Sequence, residues 1–369
     1  MKHTSILALS VIATFGATSF GANAAPISNL HASGMITNNI AAMQHSIMLN
    51  TFDNFGTSTH LGNYEPALAA TNAKAAVDPH EKCPPVYGKM RSYGEYNDDG
   101  SATAGRNGGD EASGLESSNY NWFNWQHAQD KAKYKDFDKV DSRYDLIELG
   151  FANEPRVFDN GYSQFGGFGG LIIAQEKDSA VKVEENGGFI GLYEGYRIGN
   201  FNIQGVADLG VLFSDAKAAL GDYDYTNFWL GAGLNASYDI NLTDWLTLQP
   251  GVYGGYTWIY TKGYESANGN GIKIDSAHMM EVSPALRAIT DLGSGWYGTM
   301  SGRYVFNFNA GGDATIAEVK IPELELKDYV EYGIGVEKNA DRFGFGVSLN
   351  RRDGGRTGWI GSLNIKYIF

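Results

Sequence analysis

Apolar and polar residues alternate with a period of two along most of the second half of the chain. Phe201, Ile203, Gly205, Ala207, Leu209, Val211 and Phe213 share one face of an extended segment; Asn202, Gln204, Asp208 and Ser214 take the other, with Val206 and Leu212 as exceptions. Val330, Tyr332, Ile334 and Val336 alternate with Glu331, Gly333, Gly335 and Glu337. Phe343, Phe345, Val347 and Leu349 alternate with Gly344, Gly346, Ser348 and Asn350. The last segment sets Leu363, Ile365, Tyr367 and Phe369 against Ser362, Asn364 and Lys366. Each pattern is that of a strand with one apolar side. Such strands are expected near 86–96, 144–153, 162–175, 187–198, 201–213, 225–238, 246–260, 278–290, 296–308, 329–337, 343–350 and 358–369, twelve in all.

The first quarter of the chain reads differently. Lys2 precedes a run of apolar and small residues from Ile6 to Phe20, then Ala22-Asn23-Ala24-Ala25, the layout of a secretory signal peptide cut between Ala24 and Ala25. Residues 25–85 are then a short passenger or linker before a β-domain over 86–369. Within the linker, Ile40, Met43 and Ile47 recur at helical spacing, and Ile36 and Phe52 extend the stripe, which predicts a helix over 37–52 with Asn38 or Asn39 as its cap. Sixteen residues at ~1.5 Å each span about 24 Å, close to the ~25 Å apolar band of an outer-membrane barrel. The remainder, 53–85, has no period.

The period alone suits either a soluble sandwich or a membrane barrel, because it does not say which face meets water. Three features favour the barrel. The strand count is even. Connections after the fourth, sixth, eighth and tenth strands are tight (Gly199-Asn200, 241–244, 291–294 and 339–341), whereas 97–143, 214–224, 261–277 and 309–328 are long and polar. Trp245, Trp258, Tyr260, Trp296, Tyr304, Tyr329, Trp359 and Tyr367 fall near strand ends, where amphipathic rings sit at lipid interfaces. No apolar run after the signal is long enough for a membrane helix, so only a closed barrel could span.

Composition narrows the function. Gly makes up 48 of 369 residues, about 13% against a usual ~7%, and the charged fraction is only 19%. The net charge of −14 opposes nucleic-acid binding. One cysteine, Cys83, excludes a disulfide framework and a cysteine zinc cage. His31, His45, His60 and His80 are too scattered to suggest a metal site, and nothing points to a cofactor. The cluster Gly166-Gly167-Phe168-Gly169-Gly170 lacks the strand–loop–helix context of a phosphate cradle and is read as strand curvature. His278, with Ser276 and Ser283 nearby, is the sole pattern for nucleophilic catalysis and is read as a polar wall residue instead. Trp122, Phe123 and Trp125 fall in the expected loop 97–143. Glu281, Arg287, Arg303, Glu331, Glu337 and Lys366 lie on the less apolar face of their strands, as lumen-lining residues would.

The closing stretch 328–369, ending in Leu363, Ile365, Tyr367 and Phe369 on one face, resembles the last strands of the autotransporter β-domain, the translocator of type V secretion. Residues 246–260 (LTLQPGVYGGYTWIY) resemble an inner strand of the same family. The resemblance covers roughly 86–369. It implies an all-β, twelve-stranded antiparallel transmembrane barrel threaded by the short helix 37–52. It also implies a terminal assembly signal at Leu363, Ile365, Tyr367 and Phe369, outer-membrane lipid and barrel-assembly machinery as partners, and arrival through the periplasm. Some members sever their passenger between adjacent lumenal asparagines, which Asn38-Asn39 resembles. The departure is the passenger, with only about sixty residues between signal and first expected strand. The expected role is therefore a translocator or membrane anchor without catalysis. A small porin or surface adhesin is the alternative, followed by an outer-membrane hydrolase. The sequence carries no signal of oligomeric state.

Overall fold

The computed structural model describes residues 24–60, with side chains from Gly34 to Asp53, and residues 119–369 apart from a few loop positions. Twelve long strands form one antiparallel sheet, numbered here in chain order. They are β1 (Tyr120–Ala132), β2 (Val140–Ala152), β3 (Gly161–Lys177), β4 (Val181–Ile198), β5 (Phe201–Ala218), β6 (Gly221–Tyr238), β7 (Leu246–Thr261), β8 (Ala277–Gly293), β9 (Trp296–Gly311), β10 (Tyr329–Ala340), β11 (Phe343–Gly354) and β12 (Arg356–Ile368). Each pairs with the next, and β12 returns to β1 through thirteen partner pairs from Tyr120↔Ile368 to Ala132↔Arg356, so the sheet closes on itself. Closure leaves no unpaired edge.

The two ends of the barrel differ. At the turn end, Ser294 and Gly295 link β8 to β9 with φ of 52° and 76°, the doubly positive φ of a type I′ hairpin. Gly199-Asn200 turns β4 into β5, and Tyr120 and Ile368 lie at this end too. At the loop end, short strands at Tyr264–Glu265, Gly271–Ile274, Ala314–Ile316 and Val319–Ile321 form a second small sheet from the β7–β8 and β9–β10 connections.

The alternation resolves into an apolar outside and a mixed inside. On β4 and β5, Ile190, Leu192, Phe201, Ile203, Leu209 and Phe213 face outward and exposed, while Asn202, Gln204, Asp208 and Ser214 are buried in the lumen. Val206 and Leu212, the exceptions to the pattern, are buried within the internal apolar cluster that also includes Met48. Inside runs α1 (Ala24–His60). Its residues from Met35 to Met48 are buried on nearly every side, so both its apolar stripe and its amide-bearing flank meet wall.

Several expectations need correction. The first barrel strand is β1, inside the predicted loop 97–143; the predicted strand 86–96 lies outside the described residues. Trp122 of that loop is a buried lumen residue, and Phe123 and Trp125 face out of the wall. The predicted loop 214–224 is mostly hairpin, because β5 and β6 run on to Ala218 and Gly221. The helix is 37 residues long rather than sixteen. Asn38 does not cap it; its Nδ2 donates to the Gly34 carbonyl within the helix at 2.9 Å. Tyr329 belongs to no interface belt, since it is buried beside His45 with ring centroids 6.4 Å apart.

Rings and glycines set the bore. Trp122 lies over its cross-strand partner Gly150, Tyr193 over Gly166, Phe168 over Gly191, Phe189 over Gly170 and Trp229 over Gly210. A Cβ at any of these glycines would fall within 2.5 Å of the ring. Gly166 and Gly170 of the cluster 166–170 are therefore beds for aromatic side chains, and the missing Cβ atoms are what allow the rings to lie flat inside the wall.

Candidate functional site

The site is the interface between α1 and the lumen wall. Most polar groups there are buried, and each buried one left unpartnered would cost about 1–3 kcal/mol. On the β1–β6 side the helix contributes amides and the wall contributes carboxylates. Asn39 Nδ2 donates to Glu185 of β4, and its Oδ1 accepts from Ser142 of β2 at 3.1 Å. Gln44 Nε2 donates to Asp208 of β5, which also takes the Trp229 indole N–H at 3.0 Å. Asn50 Nδ2 donates to Glu148 of β2 at 2.7 Å and to Gln126 of β1 at 2.8 Å. Ser46 sits between, in contact with Tyr144 at 2.8 Å and accepting from Gln126 at 2.9 Å.

The β8–β12 side is built from ion pairs. His45 Nδ1 meets Glu281 of β8 at 2.5 Å. Glu331 of β10 is held by Arg352 of β11 at 2.8 Å and lies 3.6 Å from Arg303 of β9. Arg352 reaches on to Asp130 of β1 at 3.0 Å, and Asp130 also accepts from Arg356 of β12 at 2.9 Å. Arg356 then donates through Nη2 to the main-chain carbonyl of Asn38 at 3.1 Å. Nearer the turn end, Asp53 pairs with Arg287 at 3.1 Å. A cavity of about 110 Å³ separates this wall from the helix, bounded by Leu49, Asp53, Arg287, Glu337, Ser348 and Asn364 among others.

The six lumen candidates thus all lie on the inner face. Glu281 and Glu331 flank His45, Arg303 joins Glu331, Arg287 takes Asp53, Glu337 lines the cavity, and Lys366 is buried near the Tyr120 ring. Sequence reasoning missed Asp130, Glu148, Glu185, Arg352 and Arg356. Asp208 had shown itself as a polar break in an apolar alternation; the same break marks Glu148 in Leu146-Ile147-Glu148-Leu149. Leu363, Ile365, Tyr367 and Phe369 share the outer face of the barrel's closing edge, with Phe369 63% exposed. His278 faces outward and meets Tyr256 OH at 2.7 Å, while Ser283 is buried in the lumen. A His278–Ser283 dyad does not form. Among the described residues no cluster of histidine, cysteine and carboxylate groups suits a metal ion.

The direction of the helix is fixed by its contacts. Asn38 and Asn39 lie against Arg356, Ser142 and Glu185, all near the loop end of their strands, whereas Asp53 lies against Arg287 towards the turn end. The chain therefore descends through the barrel from loop end to turn end before it climbs again as β1.

The comparisons with known proteins agree with this architecture. Among solved structures, the transport unit of the autotransporter AIDA-I from Escherichia coli superposes with a TM-score of 0.62 at 17% identity, covering 70% of this chain and 93% of that one. The β domain of the Bordetella autotransporter BrkA gives 0.56 at 17% identity, covering 68% and 100%. The translocator domain of NalP from Neisseria meningitidis gives 0.57 at 11% identity, covering 68% and 88%. No curated protein matches. The family model for the autotransporter β-domain matches residues 120–361, well over half of the chain. The chain belongs to the autotransporter β-domain family, and its barrel is an outer-membrane translocator.

Proposed function

We propose that this barrel carries a very short N-terminal passenger to the cell surface and anchors it there until the chain is cut. A signal peptide removed between Ala24 and Ala25 takes the chain to the periplasm, and the Leu363, Ile365, Tyr367 and Phe369 face presents it to the barrel-assembly machinery. The observation that carries the reading is the helix direction. Short turns belong to the periplasmic end of outer-membrane barrels and longer loops to the outside. A helix that descends from loop end to turn end therefore points its N-terminus outward. The helix-filled lumen weighs against an open porin, and the opposite faces of His278 and Ser283 weigh against a hydrolase. The test is a pair of epitope tags. A tag at Ile27 should bind antibody on intact cells, and a tag at Pro66 only after the envelope is opened. A silent Ile27 tag on cells whose barrel is correctly folded and carries Asn38→Ala, so that the chain stays whole, would overturn the reading.

A second step has its own support. Arg356 donates to the Asn38 carbonyl, which favours negative charge developing on that oxygen. Both ends of the Asn39 side chain are held. Once Asn38 Nδ2 leaves the Gly34 carbonyl, it can attack its own main-chain carbonyl carbon. The Asn38–Asn39 peptide bond breaks, a proton passes from Nδ2 to the departing Asn39 nitrogen, and Asn38 ends as a cyclic imide. This is a single intramolecular event without turnover. Mass spectrometry of the wild-type barrel should find a fragment beginning at Asn39, and Asn38→Ala should stay whole; an uncut wild-type chain refutes the step.

A further inference from the structure

The outer face of the wall changes at the loop end of β3, β4 and β5. Lower down it is apolar and exposed, with Leu171 and Ile173 on β3, Ile190 on β4, and Leu209 and Phe213 on β5. Beyond Ile173 and Phe213 the outward positions turn polar, first Gln175, Glu184 and Asp215, then Lys177, Lys182 and Lys217 at the rim. Lys177 is the cross-strand partner of Lys182, and Lys182 of Lys217, so three lysines stand side by side in one row. Like charges directly opposite one another in a sheet repel. The row is the more unusual in a chain whose net charge is −14.

The carboxylates nearby do not discharge it. Glu184 serves two of the lysines, Lys182 at 2.5 Å and Lys217 at 3.0 Å, and Asp215 approaches Lys217 at 3.4 Å. Asp141, the partner of Lys177 on β2, is held by Lys131 at 3.2 Å. Asp178, in the β3–β4 connection, accepts from the Val181 amide at 2.7 Å. Lys177 makes no ion pair among the described residues. Glu184 and Asp215 lie nearer the apolar band than the lysines they meet, so these contacts draw the ammonium groups of Lys182 and Lys217 down towards it. Lys177 follows Ile173 by about 13 Å along the strand, which is about 10 Å of height at the usual tilt. The headgroup layer of a bilayer is about 5–7 Å deep on each side, within reach of lysines that lean downward.

We propose that the row Lys177, Lys182 and Lys217 binds the phosphate groups of an outer-leaflet lipid. A phosphate placed among the three ammonium groups relieves their repulsion and takes charge-assisted hydrogen bonds from them. The acyl chains of the same molecule lie on Ile173, Leu209 and Phe213 below. The proposal rests on the passenger reading only for which leaflet the row faces. A silent Ile27 tag with lipid binding intact would fault that orientation and leave the site standing.

The test is native mass spectrometry of the full-length protein in detergent, with heat-modifiable gel migration as the check that each barrel is folded. The probe is lipid A carrying two phosphates, compared with phosphatidylcholine and challenged with inorganic phosphate. Wild type should hold lipid A about tenfold or more tightly than phosphatidylcholine. Lys177→Gln leaves every ion pair of the row in place and should weaken lipid A binding about fivefold. Lys177→Gln/Lys182→Gln/Lys217→Gln should weaken it by more than about tenfold. Lys262→Gln, an exposed lysine just beyond β7 at the same end, should bind as wild type does. Equal binding by the triple variant and wild type overturns the proposal, and so does a wild type that does not prefer lipid A. Release of lipid A by an equal concentration of inorganic phosphate also overturns it, because the row would then be a site for the free ion.

Discussion

The two halves of the lumen wall hold the same helix by different chemistry. On the β1–β6 side three buried carboxylates each take an amide from α1: Glu185 from Asn39, Asp208 from Gln44 and Glu148 from Asn50. On the β8–β12 side most charges satisfy one another within the wall, through Glu331, Arg352, Asp130 and Arg356. The helix enters that network at His45 and at the Asn38 carbonyl. The first half therefore needs the helix to complete its hydrogen bonding, and the second half largely does not. This explains why the cavity lies beside β8–β12: a wall that is already self-paired can stand away from the helix.

The comparison can be broken at graded cost. Arg352→Ala should do the most damage, because it strips a fully buried network of the cation shared by Glu331 and Asp130. A loss of about 3–5 kcal/mol is expected, measured by thermal or urea unfolding in detergent, and it should fall on the barrel itself. Gly210→Val should cost about 1–3 kcal/mol by driving a side chain into Trp229. Adding Trp229→Ala should recover part of that loss, and strict additivity in the double-mutant cycle would count against the ring-on-glycine contact. Gln44→Ala should cost about 1–2 kcal/mol, since Asp208 keeps its bond from Trp229. Its effect should appear in faster hydrogen exchange of α1 with little change in barrel unfolding. Asp53→Ala should cost at most about 1 kcal/mol, because Asp53 is 60% exposed and its pair with Arg287 is screened. A larger loss there would mean that the second half grips the helix as firmly as the first.

Much of the barrel was legible in the chain because lipid demands an unbroken apolar face. β5, β10, β11 and β12 announce themselves for that reason. β1 does not. Its outward residues Asn121, His127, Gln129 and Lys131 are polar, with only Phe123 and Trp125 apolar, and its inward face carries the bulky Trp122. Read without a partner, that mixture looks like a loop. The β5–β6 hairpin hid in the same way, since Asp215, Lys217 and Asp224 mark a stretch that remains paired after its outer face has turned polar.

The lumen was half legible. The charged positions on the less apolar faces could be picked out, but not their partners, because pairings such as Arg356 with Asp130 join opposite ends of the β-domain. The run Arg351-Arg352-Asp353-Gly354-Gly355-Arg356 looks like a solvated turn, yet Arg352 and Arg356 are almost wholly buried. Arg352 near the end of β11 and Arg356 at the start of β12 both aim inward, and only closure of the barrel reveals where inward is.

The flat seating of rings on glycines has a consequence for how such cylinders diversify. Trading a Gly210–Trp229 couple for two mid-sized side chains, or the reverse, changes the room available for an occupant while strand number, tilt and register stay the same. Calibre can then drift by paired exchanges at neighbouring positions, so that one scaffold is fitted to threads of different thickness without being rebuilt.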